Sequence, residues 1–294
     1  MCSPSFTNRF FSDGPKSRRP LAIVLGTNEI ASAVAVLLHR SSRAVILTHD
    51  PVIPVIRRGM AFHDALFGDF AWVNDLKAQR VDYLSEVRGA LAARETVLVT
   101  TMGLTDLLIL GSIDVIVDAR MHKRSVKPDL RGFARQAVGL GPGYRIGENC
   151  DLAIETRPGR IGHLMDGSTE DQHPEPSLLG GVGRERFVYT QAGGRWHTPL
   201  DVGVRVYKGV VLGHLGREPV VAPLDGILRG LARDDTEMPA NVKIVEIDPS
   251  GRACRWTGMD ERPRSIAEAV MRGMRRMEAA GSTTPGLVPG FNFH

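Results

Sequence analysis

Cysteine is scarce in this 294-residue sequence: Cys2, Cys150 and Cys254 are its complement, and they form no C-x-x-C pair. A disulfide framework is thereby excluded, and reduced thiols in a cytoplasmic protein are expected. Aromatic residues make up 6%, too few for the row of ring faces on which single-stranded nucleic acid stacks. Apolar runs stay well short of the ~18 residues a membrane helix needs. Residues 1–19 carry Lys16, Arg18 and Arg19 after Phe10-Phe11 without the apolar centre of a signal peptide, and read as a disordered lead. Also missing are a G-x-S-x-G elbow, a Walker loop and paired catalytic carboxylates. His122, His163, His173, His197 and His214 lack metal-ligand spacing. Nucleic acid, membrane and metal are therefore not among the expected partners.

What is present suits an α/β protein. Apolar residues reach 43% with a net charge of +4, and the length allows two modest domains. Leu21-Ala22-Ile23-Val24-Leu25 is an unbroken apolar run, as in a strand covered on both faces. Gly26 ends it, helical spacing follows from Asn28, and Ala44-Val45-Ile46-Leu47 gives a second strand ending near Asp50. These are the parts of a dinucleotide-binding βαβ unit. Its glycine pattern is degraded: Gly26-Thr27-Asn28-Glu29-Ile30-Ala31 has Asn28 where the pyrophosphate needs glycine. Gly26 and Asn28 are still the positions where that turn would meet a cofactor. Helices over 55–66 and 83–94, and strands over 96–100 and 114–117, continue a Rossmann-like doubly wound sheet across residues 20–165.

The chemistry is expected between Asp118 and Tyr144. This stretch leaves the carboxyl end of a buried strand, where open α/β sheets place ligands. It holds Arg120, Lys123, Arg124, Lys127, Arg131 and Arg135 against Asp118 and Asp129, then reaches Gly139-Leu140-Gly141-Pro142-Gly143. Arg120, Lys123 and Arg124 with Gly139, Gly141 and Gly143 form either a phosphate cradle or a solvated loop closed by a simple turn. Cys150 offers either a chalcogen-carrying thiolate or a small buried hydrophobe. Glu155, ending the next strand, is either a general base or the partner of an arginine.

Residues 166–186 are rich in Gly, Pro, Ser and acids and read as a linker or a lid. Beyond them, short valine-rich runs at close spacing predict a smaller all-β domain over 187–250. Residues 251–294 contribute a C-terminal amphipathic helix, with Ile266, Ala267, Val270, Met271 and Met274 on one face, and a loose tail.

Four phrases carry a family resemblance: the first turn at Gly26, Val117 to Arg124, Gly139 to Gly143, and Val220 to Gly230 with Lys243 to Pro249. With them the chain resembles the accessory proteins of the selenium-dependent molybdenum hydroxylase system, over roughly residues 20–275. The resemblance implies a Rossmann-like domain with a barrel-sandwich tail like that of biotinyl and lipoyl carriers. The turn Pro223-Leu224-Asp225-Gly226 lacks the carrier lysine, so no covalent biotin or lipoate is expected. It also implies a maturation factor whose ligand is molybdopterin cytosine dinucleotide or a similar phosphate-bearing molecule. Its partner would be a molybdenum hydroxylase apoprotein, with a homo-oligomer left open. An NAD(P)-dependent oxidoreductase and a non-catalytic partner-binding scaffold are the rival readings.

Overall fold

The computed structural model describes residues 19–123, 125–170 and 176–281. The chain begins with β1 (Leu21–Leu25), α1 (Glu29–Arg40) and β2 (Ala44–Thr48). Next come α2 (Ala65–Gly68), β3 (Phe70–Val73), β4 (Leu76–Arg80), α3 (Leu84–Ala92), β5 (Thr96–Thr100) and α4 (Leu104–Leu107). β6 (Val115–Asp118), β7 (Gln136–Leu140) and β8 (Leu152–Ile154) complete an eight-stranded sheet in the order β3-β4-β5-β2-β1-β6-β7-β8. Its pairs are parallel except the β3–β4 hairpin.

Apolar content explains the centre of this sheet. β1 and β2 are buried along their whole length, because helices cover both faces of a parallel sheet and leave no wet side for alternation. Ala22 and Val24 of β1 point into one core with α1, and Leu21, Ile23 and Leu25 point into the other with Val87 of α3. From β1 the chain turns to β2 on one side, then returns to β6 on the other. The crevice outside the carboxyl ends of β1 and β6 is thus the topological switch point, where such sheets bind ligands.

The connections from β6 to β7 and from β7 to β8 contain no helix among the described residues. The missing cover comes from the far end of the chain, α5 (Glu261–Ala279). Ile266, Ala267, Val270 and Met274 of α5 join the core formed by α1 and the sheet, and a side chain added at Gly273 would collide with Leu152 of β8. The helix expected as a separate C-terminal piece is therefore part of the first unit. Between β8 and α5 lies an insertion: β9 (Phe187–Tyr189), β10 (Gly194–His197), β11 (Arg205–Val206), β12 (Val211–Leu215), β13 (Glu218–Val221), β14 (Gly226–Leu231), β15 (Thr236–Met238) and β16 (Lys243–Asp248). It forms two antiparallel four-stranded sheets, β13-β12-β10-β15 and β11-β14-β16-β9, around Trp196, Leu212, Leu228, Ile244 and Ile247.

One expectation needs correction, and one element is new. The helix expected over 55–66 is broken into two 3-10 turns before α2, because the insertion recruits this backbone: Leu231 N–H donates to Ile56 O at 2.8 Å and Arg58 Nε to Leu231 O at 3.0 Å. The β3–β4 hairpin was not anticipated. It turns at Asn74, whose φ of 53° is a conformation asparagine tolerates. The lead and the tail, with Cys2 and His173, lie outside the described residues except Arg19 and Gly281, and Arg19 is anchored by Nη2 donating to Leu91 O at 2.9 Å. No helix among the described residues is long and apolar enough to cross a membrane.

If α5 completes the first core, truncating its buried face destabilises a sheet more than a hundred residues away in sequence. Ile266→Ala is expected to cost about 2–5 kcal/mol, measured as a lower urea midpoint with loss of protection in the β1 and β2 amides by hydrogen exchange.

Candidate functional site

At the switch point the first turn is closed by its own side chains. Gly26 has a φ of +108°, and a Cβ there would press on the Ala119–Arg120 backbone at 3.2–3.3 Å, so glycine is needed for a protein contact. Asn28 caps α1: its Oδ1 accepts from Ile30 N at 2.9 Å and Ala31 N at 3.0 Å, while its Nδ2 donates to Ala119 O at 2.7 Å. The N–H groups that would hold a pyrophosphate are satisfied by this carboxamide, which also bridges β1 to the loop after β6. The expected contact of Gly26 and Asn28 with a cofactor is corrected accordingly.

The basic stretch after β6 is largely self-paired. Arg120 grips buried Asp118, with Nη2 to Oδ2 at 2.5 Å and Nε to Oδ1 at 3.0 Å. Burial opposes the Asp118 charge, yet this guanidinium holds its carboxyl below the usual range. Arg131 pairs in the same way with Asp129, at 2.8 and 2.9 Å. Met121 adopts a φ of 62°, and the next residue, His122, places Nε2 against a carboxylate oxygen of Asp50. Lys127 donates to His122 O at 2.7 Å and lies over the Tyr144 ring; burial, then Arg120, draws its ammonium below the ordinary value. Lys123 is exposed. Arg124 lies outside the described residues.

Three expected site features are reassigned. Gly139 belongs to β7, and the space it leaves is filled by the Tyr144 ring. Gly141, with a φ of +83°, donates its N–H to Ile154 O at 3.1 Å, and Tyr144 donates to Thr169 Oγ1 at 3.0 Å. Gly143, with a φ of +88°, abuts the Lys127 stem. These glycines make a turn that tucks Tyr144 inward, and the Gly141 and Tyr144 amides are engaged within the protein. Glu155 is buried and accepts from three backbone groups, Thr156 N at 2.7 Å, Arg157 N at 3.0 Å and Glu170 N at 2.9 Å, so it fastens a turn, and among the described residues no arginine pairs with it. Cys150 is fully buried beside Tyr144 and Ala153, and burial pushes its thiol up to about 12. A thiolate relay is excluded by that setting.

The strongest electrostatic feature had only a faint sequence signal, a glutamate inside the apolar run of β16. Glu246 is completely buried and receives Arg57 through Nε at 2.7 Å and Nη2 at 3.0 Å, Arg186 at 3.2 Å and Arg229 at 3.1 Å. Arg57 also reaches Glu29 of α1 at 3.1 Å, and Arg229 reaches Asp260 just before α5. Burial disfavours the Glu246 charge, but Arg57, then Arg229 and Arg186, bring it down to about 2. Nearby, Arg262 donates to Thr156 O at 3.0 Å. Lys243, at the start of β16, sits over the Phe187 ring at 3.7 Å. Burial, then Lys123 and Arg57, press its ammonium down to about 8, while Glu246 and the ring faces pull the other way. The charge of Lys123, from the first unit, thus bears on Lys243 of the insertion.

A second polar group lines the carboxyl ends of β1 and β2. Thr27 Oγ1 and His63 Nδ1 lie 2.9 Å apart, and the His63 ring is tilted against that of His49 with centres 5.2 Å apart. Burial, with His49 next, brings His63 down to about 3, so it is neutral at physiological pH. Among the described residues, no three His, Cys, Asp or Glu side chains are placed to hold a metal ion.

The chain is therefore a mixed α/β protein with an antiparallel insertion over the carboxyl end of its main sheet. No family model matches it. It is 26% identical over 277 residues to the uncharacterized protein YqeB of Escherichia coli strain K12, a match that takes in 90% of this chain and 49% of that protein. The chain spans about half the length of this curated relative. Similar solved structures include an aspartoacylase family protein of Mesorhizobium loti, at 12% identity and a TM-score of 0.25, covering 79% of this chain and 85% of that one. Malate dehydrogenase of Cryptosporidium parvum is 14% identical with a TM-score of 0.22, covering 42% of this chain and 37% of that one. At such scores these likenesses carry no argument.

Glu246→Gln leaves three arginines around a neutral amide and is expected to cost about 3–5 kcal/mol at pH 7. Because the folded carboxyl titrates below its unfolded value, its contribution is full above the unfolded range near ~4.3 and is lost as pH falls towards about 2. Urea midpoints collected from pH 7 to 2.5 should fall more steeply below pH 4.5 for the native chain than for the variant; parallel curves would refute the assignment.

Proposed function

We propose that this chain is an accessory protein in molybdenum hydroxylase maturation, which holds a phosphate-bearing cofactor in the crevice between the main sheet and the insertion. In this reading the main sheet is a Rossmann-like doubly wound sheet and the insertion is barrel-sandwich-like. The carrying observation is that cations converge on the crevice from both units: Arg120, Lys123 and Lys127 from the loop after β6, and Lys243 from β16. The lysines suit a phosphate, since Lys123 and Lys243 bear on one another and an intervening anion relieves both. The glycines beside them do not add a backbone cradle. Molybdopterin cytosine dinucleotide is the ligand that the family resemblance implies, and a hydroxylase apoprotein would receive it with the insertion as docking surface.

The oxidoreductase alternative is weaker at both of its usual contacts. Asn28 occupies the α1 amides, and Asp50, positioned where a ribose-binding acid stands, holds His122.

Titration calorimetry with molybdopterin cytosine dinucleotide tests the reading. The double substitution Lys123→Glu plus Lys127→Glu should weaken binding at least tenfold, or about 1.4 kcal/mol, and flatten its salt dependence. Unchanged affinity would remove the assignment, and tight saturable binding of NADH would favour the oxidoreductase instead.

A further inference from the structure

Lys243 is packed against aromatic rings rather than against a carboxylate. Its Nζ lies 3.7 Å from the Phe187 ring centre and 5.7 Å from that of Tyr189, and among the described residues no carboxylate stands within salt-bridge distance of it. Glu246, the acid whose charge bears on it, is already held by three arginines. The remaining charges that bear on it are positive: Lys123 from the first unit, Arg57 from the loop after β2, and Arg186 from the connector. Arg184 covers the Tyr189 ring. Lys243 is half-buried, so part of the residue is open to solvent.

An amine that is partly desolvated, flanked by cations and free of a carboxylate is in the setting that turns lysine from a charge into a nucleophile. The surrounding cations meanwhile attract anions. We propose that Lys243 is a nucleophilic amine that forms an imine with a phosphate-bearing aldehyde or ketone. The phosphate part rests on the crevice reading above; the amine part does not. The neutral amine adds its lone pair to the carbonyl carbon, and the carbonyl π pair moves to oxygen. A proton passes from nitrogen to that oxygen to give a carbinolamine. Loss of water, carrying the former carbonyl oxygen, leaves C=N, with no change in oxidation state. Burial and the Lys123 charge, which hold the amine near 8, supply the neutral form at mildly alkaline pH.

The full chain treated with equimolar pyridoxal 5′-phosphate, reduced with borohydride and mapped by peptide mass spectrometry gives the test. At pH 7.5 the adduct at Lys243 should exceed that at any other lysine by about tenfold or more, with a labelling midpoint near pH 8. Lys243→Arg, whose unfolding midpoint verifies its fold, should abolish it. Labelling spread evenly over exposed lysines such as Lys208, or appearing at Lys243 only near the ordinary lysine range, would overturn the inference. Phosphate-free pyridoxal separates the two readings. Weaker labelling supports both, and equal labelling of Lys243 supports the nucleophile while overturning the phosphate site.

Discussion

A carboxylate with no access to water must be surrounded by positive charge, and Glu246 meets that demand by drawing arginines from three parts of the chain. Arg57 comes from the loop after β2, Arg186 from the connector entering the insertion, and Arg229 from β14 within it. Arg57 continues to Glu29 at the start of α1, and Arg229 to Asp260 at the start of α5. One side chain therefore joins the insertion to both helices that cover the first core. Removing any member leaves an uncompensated charge in a dry place, so the cluster is worth more for fixing a single arrangement than for net stability. Because β16 is held this way, Lys243 at its first position faces the loop after β6.

The place where open α/β sheets usually bind is closed by the protein's own groups. Parallel sheets bind at the switch point because helix amides and a glycine turn lie open there. Here Asn28 occupies those amides, and Gly26 packs on the next loop. The like charges that bear on one another lie instead on the loop after β6 and at the start of β16. Arg120, the most obvious phosphate ligand by position, is committed to its fork onto Asp118.

The sheet was legible because its central strands are uninterrupted apolar runs whose period differs from that of the helices between them. The hairpin β3–β4 was not, since its exposed Phe70 and Trp72 and its Lys77 and Arg80 resemble a surface helix or loop as readily as an edge. Asn28 was legible as a departure from the glycine pattern, but its double role as cap and bridge depends on Ala119, ninety-one residues away. The glycine phrase misled for a physical reason: Gly139 is small to admit Tyr144, and sequence cannot distinguish a glycine that admits a ring from one that admits a phosphate. Glu155 misled similarly, because its three partners are backbone amides, which every residue has.

Met121 and His122 show how the remaining pieces fit. A methionine at positive φ is a disfavoured backbone state, of the order of 1 kcal/mol or more, and it persists only where surrounding contacts impose it. Arg120 is fixed by Asp118 on one side and His122 by Asp50 on the other, so Met121 must absorb the reversal between them. The acid that would bind a ribose in a dinucleotide enzyme is thereby committed to shaping the loop that presents Lys123 and Lys127. A strand, a turn and an acid stand where a dinucleotide-binding unit would have them, but their polar groups hold a cationic loop. The closed first turn and the cationic loop after β6 thus follow from one set of contacts.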